Sequence, residues 1–398
     1  MKFRLALILI LALTGCSFYD TAPVLQRVSA TVALKIPVIG RSILWMTKEE
    51  STLYVPEYSK KQLSSIELST LKVNWISSLP YEPASNPVVL NNNIFVFARH
   101  SAKLMWLDTS GTLKGVITLV GFDTDVPLTR SFRAAKSDTA LLWEGWNTPN
   151  NSALWRLDPA KDLSPDPLSP GNYLATPKAL WKGTKDHGII PYAAEGQVYW
   201  GYITFDITKD DPLDDYFLSI NELSGQVNWE VSGTGVDFKS DMEPILYKGD
   251  LLSTCMSGIF SIRLSDGTIT RNYKDAAWSQ GLAIVGNIAY TPFSNPPENV
   301  IALDLDTGKR VWSQTYEATA GTPLAVHNGI VYQATQGDLR LYRQSDGAYL
   351  GIDKTLSGDA AQGATNFVYN NFFIFISSSY LTIINMDFLL DSQGKLTR

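Results

Sequence analysis

The stretch Val300-Ile301-Ala302-Leu303-Asp304-Leu305-Asp306-Thr307-Gly308-Lys309-Arg310-Val311-Trp312 decides the fold. It reads as an apolar strand, a polar turn ending in glycine, and a second strand carrying a tryptophan. Leu218-Ser219-Ile220-Asn221-Glu222-Leu223-Ser224-Gly225-Gln226-Val227-Asn228-Trp229 repeats it. Ahead of such units lies another recurring pair of strands. Pro87-Val88-Val89-Leu90, a turn at Asn91-Asn92, and Ile94-Phe95-Val96-Phe97 form one copy; Pro323-Leu324-Ala325-Val326, a turn at His327-Asn328-Gly329, and Ile330-Val331-Tyr332 form another. The second-strand hydrophobic of each copy falls at Tyr54, Phe95, Leu142, Tyr199, Leu252, Tyr290, Tyr332 and Phe373, 38 to 57 residues apart. That interval suits a four-stranded blade with its connections. The spacing therefore predicts an all-β chain: an eight-bladed β-propeller of four-stranded antiparallel blades.

A blade with two apolar faces is stable only when neighbours cover both, so the ring must close. The eighth copy supplies three strands, around 366 to 369, 372 to 377 and 381 to 386, while 31 to 36 is an orphan strand before the first copy. The N-terminal strand is therefore expected to close the ring from the outer edge of the last blade. The resulting division is 1–15 signal peptide, 16–30 tether, 31–386 propeller and 387–398 C-terminal tail.

Composition agrees. The chain has 398 residues, 45% hydrophobic and 18% charged, enough to bury a large core, and its 28 Gly, 20 Pro and 11% aromatic residues favour short strands joined by turns. With 33 Lys and Arg against 39 Asp and Glu the net charge is -6, and no basic cluster appears. Nucleic-acid binding, which rests on clustered Lys and Arg, is excluded.

The amino terminus carries Lys2 and Arg4, then an apolar run from 5 to 13, then Thr14-Gly15-Cys16. The run is too short for a spanning helix, which needs about 20 residues, and reads as an export signal. Leu13-Thr14-Gly15-Cys16 resembles the bacterial lipobox. The resemblance implies cleavage before Cys16, acylation of its thiol with diacylglycerol and palmitate, and a mature chain held outside the cytoplasm by its lipid. Ser17, where an Asp would favour the inner membrane, points to the periplasmic face of the outer membrane. Cys255 is then the remaining thiol. It has no partner for an intrachain disulfide and no neighbouring His or Lys to activate it, so it reads as buried and inert.

The repeat resembles the unit first described in quinoprotein dehydrogenases and shared with non-enzymatic propellers, best from about 186 to 350, with Leu303 to Trp312 close to the consensus. In that unit the Trp docks between blades. Together with the lipobox and the length, the whole chain resembles the propeller lipoprotein of the outer-membrane β-barrel assembly machinery. The resemblance implies a cofactor-free, non-enzymatic protein-binding scaffold whose partners are other envelope proteins, a β-barrel membrane protein among them. The first alternative, a quinone-dependent or other envelope enzyme, would need an adjacent cysteine pair, which Cys255 lacks, and Glu, Asn and Asp ligands for calcium. The second, a carbohydrate or small-ligand propeller, would carry aromatics on its first strands, which here are mostly aliphatic and small. His100, His187 and His327 are isolated and show no metal-ligand spacing. There is no nucleophile elbow, phosphate loop or Cys-x-x-Cys. No catalytic, cofactor-binding or metal residue is expected. The run Asp206, Asp210, Asp211, Asp214 and Asp215 reads as a solvated loop with Pro212 as a turn residue rather than as a calcium site.

In an up-and-down blade the first-to-second and third-to-fourth turns share one face. The second-to-third loops and the blade-to-blade connections share the other. Turns on the first face read as minimal, whereas 120–130, 147–152, 158–171, 205–215 and 293–299 are long and are assigned to the second. Phe205, Tyr216 and Phe293 on that elaborated face are the candidate partner-docking residues.

Overall fold

All eight marker hydrophobics lie in the second strand of a blade, and every one is buried. The computed structural model describes residues 31–37, 45–99, 101–123, 134–148, 151–183, 187–188, 190–206, 211–233, 244–255, 258–274, 282–292, 300–315, 324–335, 338–353, 366–376 and 380–397. They form an eight-bladed propeller, blades 1 to 7 built in chain order from an inner strand a to an outer strand d and blade 8 closed by the N-terminal strand.

Blade 1 comprises Thr47–Glu49, Thr52–Glu57, Gln62–Glu67 and Lys72–Ser78. Blade 2 comprises Val88–Leu90, Asn93–Phe97, Lys103–Asp108 and Leu113–Leu119. Blade 3 comprises Ala134–Lys136, Leu141–Thr148, Asn151–Leu157 and Lys178–Gly183. Blade 4 has an inner edge of two short pieces, His187–Gly188 and Tyr192–Ala194, then Gln197–Asp206, Asp211–Asn221 and Val227–Gly233. Blade 5 comprises Ile245–Tyr247, Asp250–Cys255, Gly258–Arg263 and Ile269–Tyr273. Blade 6 comprises Ala283–Val285, Ile288–Pro292, Val300–Asp304 and Arg310–Gln314. Blade 7 comprises Leu324–His327, Ile330–Ala334, Leu339–Arg343 and Tyr349–Asp353. Blade 8 takes Phe367–Tyr369, Phe372–Ile376 and Tyr380–Asn385 from the end of the chain and Thr31–Pro37 from its beginning. The closing strand runs antiparallel to strand c, with Thr31 opposite Asn385 and Ile36 opposite Leu381.

Successive strand residues point to opposite faces of a sheet, so one strand serves two neighbours. Leu53 and Val55 pack on Ile374, Ile376 and Ile383 of blade 8, whereas Tyr54 between them packs on Ile94 and Val96 of blade 2. Each such side chain adds about 1.5–3 kcal/mol when buried.

The repeat's tryptophan and glycine meet across a seam. Trp75 of blade 1 lies over Gly111 of blade 2, Trp229 of blade 4 over Gly267 of blade 5, and Trp312 of blade 6 over Gly347 of blade 7; a Cβ on those glycines would fall 2.6, 2.5 and 2.5 Å from the indole. Each indole N–H donates to a carbonyl of the turn beneath, Thr109, Leu264 and Gln344 respectively, at 2.9 Å.

One assignment is corrected. The proline-rich 158–171 segment belongs to the c-to-d connection of blade 3 and so to the short-turn face. From that connection Tyr173–Ala175 pairs in parallel with strand d of blade 2, Tyr173 opposite Ile117, and Leu163–Pro165 pairs with it in turn. Blade 2 thereby becomes six-stranded. At the far end, 387–397 forms a small hairpin of Leu389–Leu390 and Leu396–Thr397. It rests on blade 7 through Leu390 and Leu396, with Phe388 buried beneath.

Candidate functional site

The two faces of the ring are built by different local chemistry. On one, the a-to-b turns place Glu50, Asn91, Asn92, Glu195, Lys248, Asn328 and Asn370 at φ of 49 to 60°. These are left-handed tight turns whose twist matches that of the flanking strands. The c-to-d turns there end in positive-φ glycines 111, 225, 267, 308 and 347. On the other face stand the b-to-c hairpins, the longest being Gln197–Asp206 with Asp211–Asn221 in blade 4.

That hairpin corrects the reading of 206–215 as a solvated loop. Asp206 pairs with Asp211, Phe205 with Pro212, Thr204 with Asp214 and Ile203 with Asp215. Asp and Pro disfavour strands, yet a register shift between Thr204 and Phe205 lets the ladder continue past a proline that cannot donate. Asp210 lies outside the described residues.

Of the three docking candidates, Tyr216 is the one whose side chain the structure describes. It is half-buried, opposite Tyr202, and stacked on that ring at 4.9 Å and 13°. Tyr202 stacks in turn on Trp200 at 5.2 Å. Tyr216 therefore anchors the base of the hairpin. The backbone of Phe205 sits near the hairpin tip. Phe293 lies outside the described residues, as do Cys16 and His100. His187 falls in the inner edge of blade 4, His327 is half-buried at the end of an inner strand, and Cys255 ends strand b of blade 5. Among the described residues no three metal-ligating side chains converge.

Inner strands of blades 1 to 4 and 8 line a cavity of about 220 Å³ in the central channel. Its wall is stitched by side chains acting as backbone. The Asn86 carboxamide accepts from Ala134 N at 2.8 Å and donates to its carbonyl at 3.0 Å, and Thr47 Oγ1 donates to the Pro87 carbonyl at 2.5 Å. Lys136 pairs with Glu49 at 2.8 Å. On the short-turn face Arg156, nearly buried, donates to Glu222 at 3.0 Å, and Ser137 Oγ reaches the same oxygen at 2.6 Å. This joins blades 3 and 4, since a buried guanidinium without its carboxylate would be costly.

The same face holds a groove that the sequence reading missed, a cavity of about 460 Å³ between blades 4 and 5. Tyr199 and Trp229 line one side, Gly249 and Arg263 the other. Blade 4 contributes a polar floor in which Asn228 donates to Ser219 Oγ at 3.1 Å and also to Gln197. Strands b, c and d each contribute, which hides the site from any local motif. The legible signal is Arg263, at a repeat position where blades 2, 4, 6 and 8 carry Asp108, Asn221, Asp304 and Asn385 and blade 7 shares the arginine as Arg343.

The blade order, the tryptophan-on-glycine seams and the closing strand define a PQQ-like repeat β-propeller. The profile of the family described as outer membrane protein assembly factor BamB matches residues 145–349, just over half of the chain. The chain belongs to that family. Among solved structures, BamB from Moraxella catarrhalis superposes with a TM-score of 0.63 at 14% identity, covering 90% of this chain and 98% of that one. The computationally designed Ika8 protein gives 0.62 at 12% identity over 90% and 100%. The quinohemoprotein alcohol dehydrogenase ADHIIG from Pseudomonas putida HK5 gives 0.59 at 10% over 92% and 78%. At such identities the likeness is one of fold. No curated protein matches the chain.

Proposed function

We propose that this chain is a non-enzymatic lipoprotein scaffold of the cell envelope, lipid-anchored through Cys16 at the periplasmic face of the outer membrane and serving outer-membrane protein assembly. Membership of the BamB family carries the reading. The partner, an envelope protein such as a β-barrel membrane protein, docks on the face of the b-to-c hairpins, where the blade 4 hairpin stands beyond its neighbours with Phe205 near its tip, and Phe293 belongs to the connection in blade 6. Loops on a rigid scaffold are where binding residues concentrate.

Affinity capture of the tagged, lipidated protein from detergent-solubilised native envelope tests this, with mass spectrometry and an absorption spectrum of one eluate. A β-barrel membrane protein without a chromophore is expected. A quinone-like absorption band and no stable partner would favour an envelope enzyme, the class to which the structurally similar alcohol dehydrogenase belongs. Replacing 205–213 by a two-residue Asn-Gly turn, which keeps Thr204 opposite Asp214, should leave the ring folded and weaken capture; undiminished capture would remove the hairpin from the docking face. Cys16→Ala should abolish palmitate labelling and release the chain from the membrane fraction.

A further inference from the structure

The repeat allows each groove to be compared with its counterparts inside the same chain. At the end of strand c, Asp108, Asn221 and Asp304 fold back on their own turns. Asp108 Oδ1 accepts from Ser110 N and Thr112 N, Asn221 Oδ1 from Leu223 N and Ser224 N, and Asp304 Oδ1 from Asp306 N and Thr307 N. Blades 5 and 7 differ. There the same position is Arg263 and Arg343, and the capping role moves three residues on, Asp266 accepting from Thr268 N and Asp346 from Ala348 N at 2.9 and 3.0 Å. Each arginine pairs with its turn acid, at 3.1 and 2.8 Å, and keeps donors to spare.

In blade 7 the chain uses one of those donors. Arg343 Nη2 donates to the carbonyl of Gly394 at 2.8 Å, in the turn of the C-terminal hairpin. On the neighbouring a-to-b turn, Leu390 Cδ1 stands 3.6 Å from where a Cβ of Gly329 would be. In blade 5 the equivalents of Gly329 and Arg343 are Gly249 and Arg263, and both line the 460 Å³ cavity beside blade 4. What the chain covers with its own hairpin in blade 7 has no counterpart over blade 5 among the described residues.

We propose that the groove between blades 4 and 5 docks a tight backbone turn of a partner protein. Arg263 donates to a turn carbonyl, and Tyr199 and Trp229 wall the groove beside an apolar side chain next to the turn. A carbonyl suits this arginine better than an anion. Its charge is already matched by Asp266, Glu195 sits on the opposite rim, and Arg343 binds a carbonyl while paired in the same way. The volume falls in the range of pockets that enclose small ligands. The groove lies on the opposite face from the blade 4 hairpin tip, so the ring would hold two partners at once, one on each side.

The test uses the full chain and a head-to-tail cyclic peptide copying 388 to 397. Nitrogen-15 spectra follow the indole N–H of Trp229, assigned through Trp229→Phe. A saturable shift of that resonance is expected, with binding at least tenfold weaker in Arg263→Ala and intermediate in Arg263→Lys, which keeps the charge and loses the fork. Near-UV circular dichroism checks that both variants are folded. No shift at millimolar peptide, or equal affinity in Arg263→Ala, overturns the proposal. So does binding lost in Arg343→Ala alone, which would mean that the peptide exchanges with the resident hairpin on blade 7.

Discussion

Two seams of the ring solve one problem with different side chains. Between blades 6 and 7, Trp312 covers Gly347, leaves no space for a Cβ, and donates to Gln344. Between blades 5 and 6, Tyr273 takes the tryptophan's place. Its hydroxyl donates to the Leu305 carbonyl at 2.6 Å, and its ring edge stays 3.9 Å from where a Cβ of Gly308 would be. Gly347 is buried and Gly308 exposed. The indole makes its glycine a packing requirement, whereas the phenol leaves its glycine with a conformational role alone. The residue that fills the tyrosine seam is itself ionisable, and the indole that fills the other is not.

The largest effect separating them should come from Trp312→Ala. Loss of a buried tryptophan is expected to cost about 3–5 kcal/mol, measured as a lower urea midpoint. Gly347→Ala should follow at about 2–4 kcal/mol, combining positive-φ strain with overpacking against the indole. In the Trp312→Ala background its cost should fall to the backbone part alone, because the two residues touch. A full cost retained in the double variant would break the packing account. Gly308→Ala, φ 72° with its nearest contacts at 3.8 and 3.9 Å, should cost only about 1–2 kcal/mol. Tyr273→Phe leaves the Leu305 carbonyl without its donor and should cost about 0.5–1.5 kcal/mol.

A pH scan sharpens the contrast. Burial pushes the Tyr273 hydroxyl up to about 12 from 10.0. A raised folded value means that the tyrosine's contribution is complete below pH 10 and is lost as pH climbs through 12. The stability difference between wild type and Tyr273→Phe should therefore shrink between pH 10 and 12. The difference between wild type and Gly347→Ala should hold over the same interval; a parallel decline would assign the alkaline loss to other tyrosines.

The ring was legible because its signal is repeated. Each copy is weak by itself, but Tyr54 through Phe373 recur at blade spacing, and closing such a ring requires the orphan strand at 31–37. What escaped was non-repeating. The parallel pairing of Tyr173–Ala175 with blade 2 joins short strands across a proline-rich segment, and no periodicity encodes it. The strands around Pro212 run against their own propensities because a long neighbouring ladder carries them. Tyr216, chosen for its exposed aromatic character, is held by Tyr202 directly opposite, a pairing that depends on register. The groove between blades 4 and 5 lay hidden among separated strands, although the Arg263 and Arg343 exception was visible in the alignment of copies.

The closing strand also imposes an order of events. Thr31–Pro37 leaves the ribosome long before its partner Tyr380–Asn385. Until the partner appears, the early strand has an open edge that any other strand could claim, and the contact it awaits spans nearly the whole chain, the kind that slows folding. A helper that shields this segment during synthesis and transit would shorten the interval in which the molecule can be captured by the wrong neighbour.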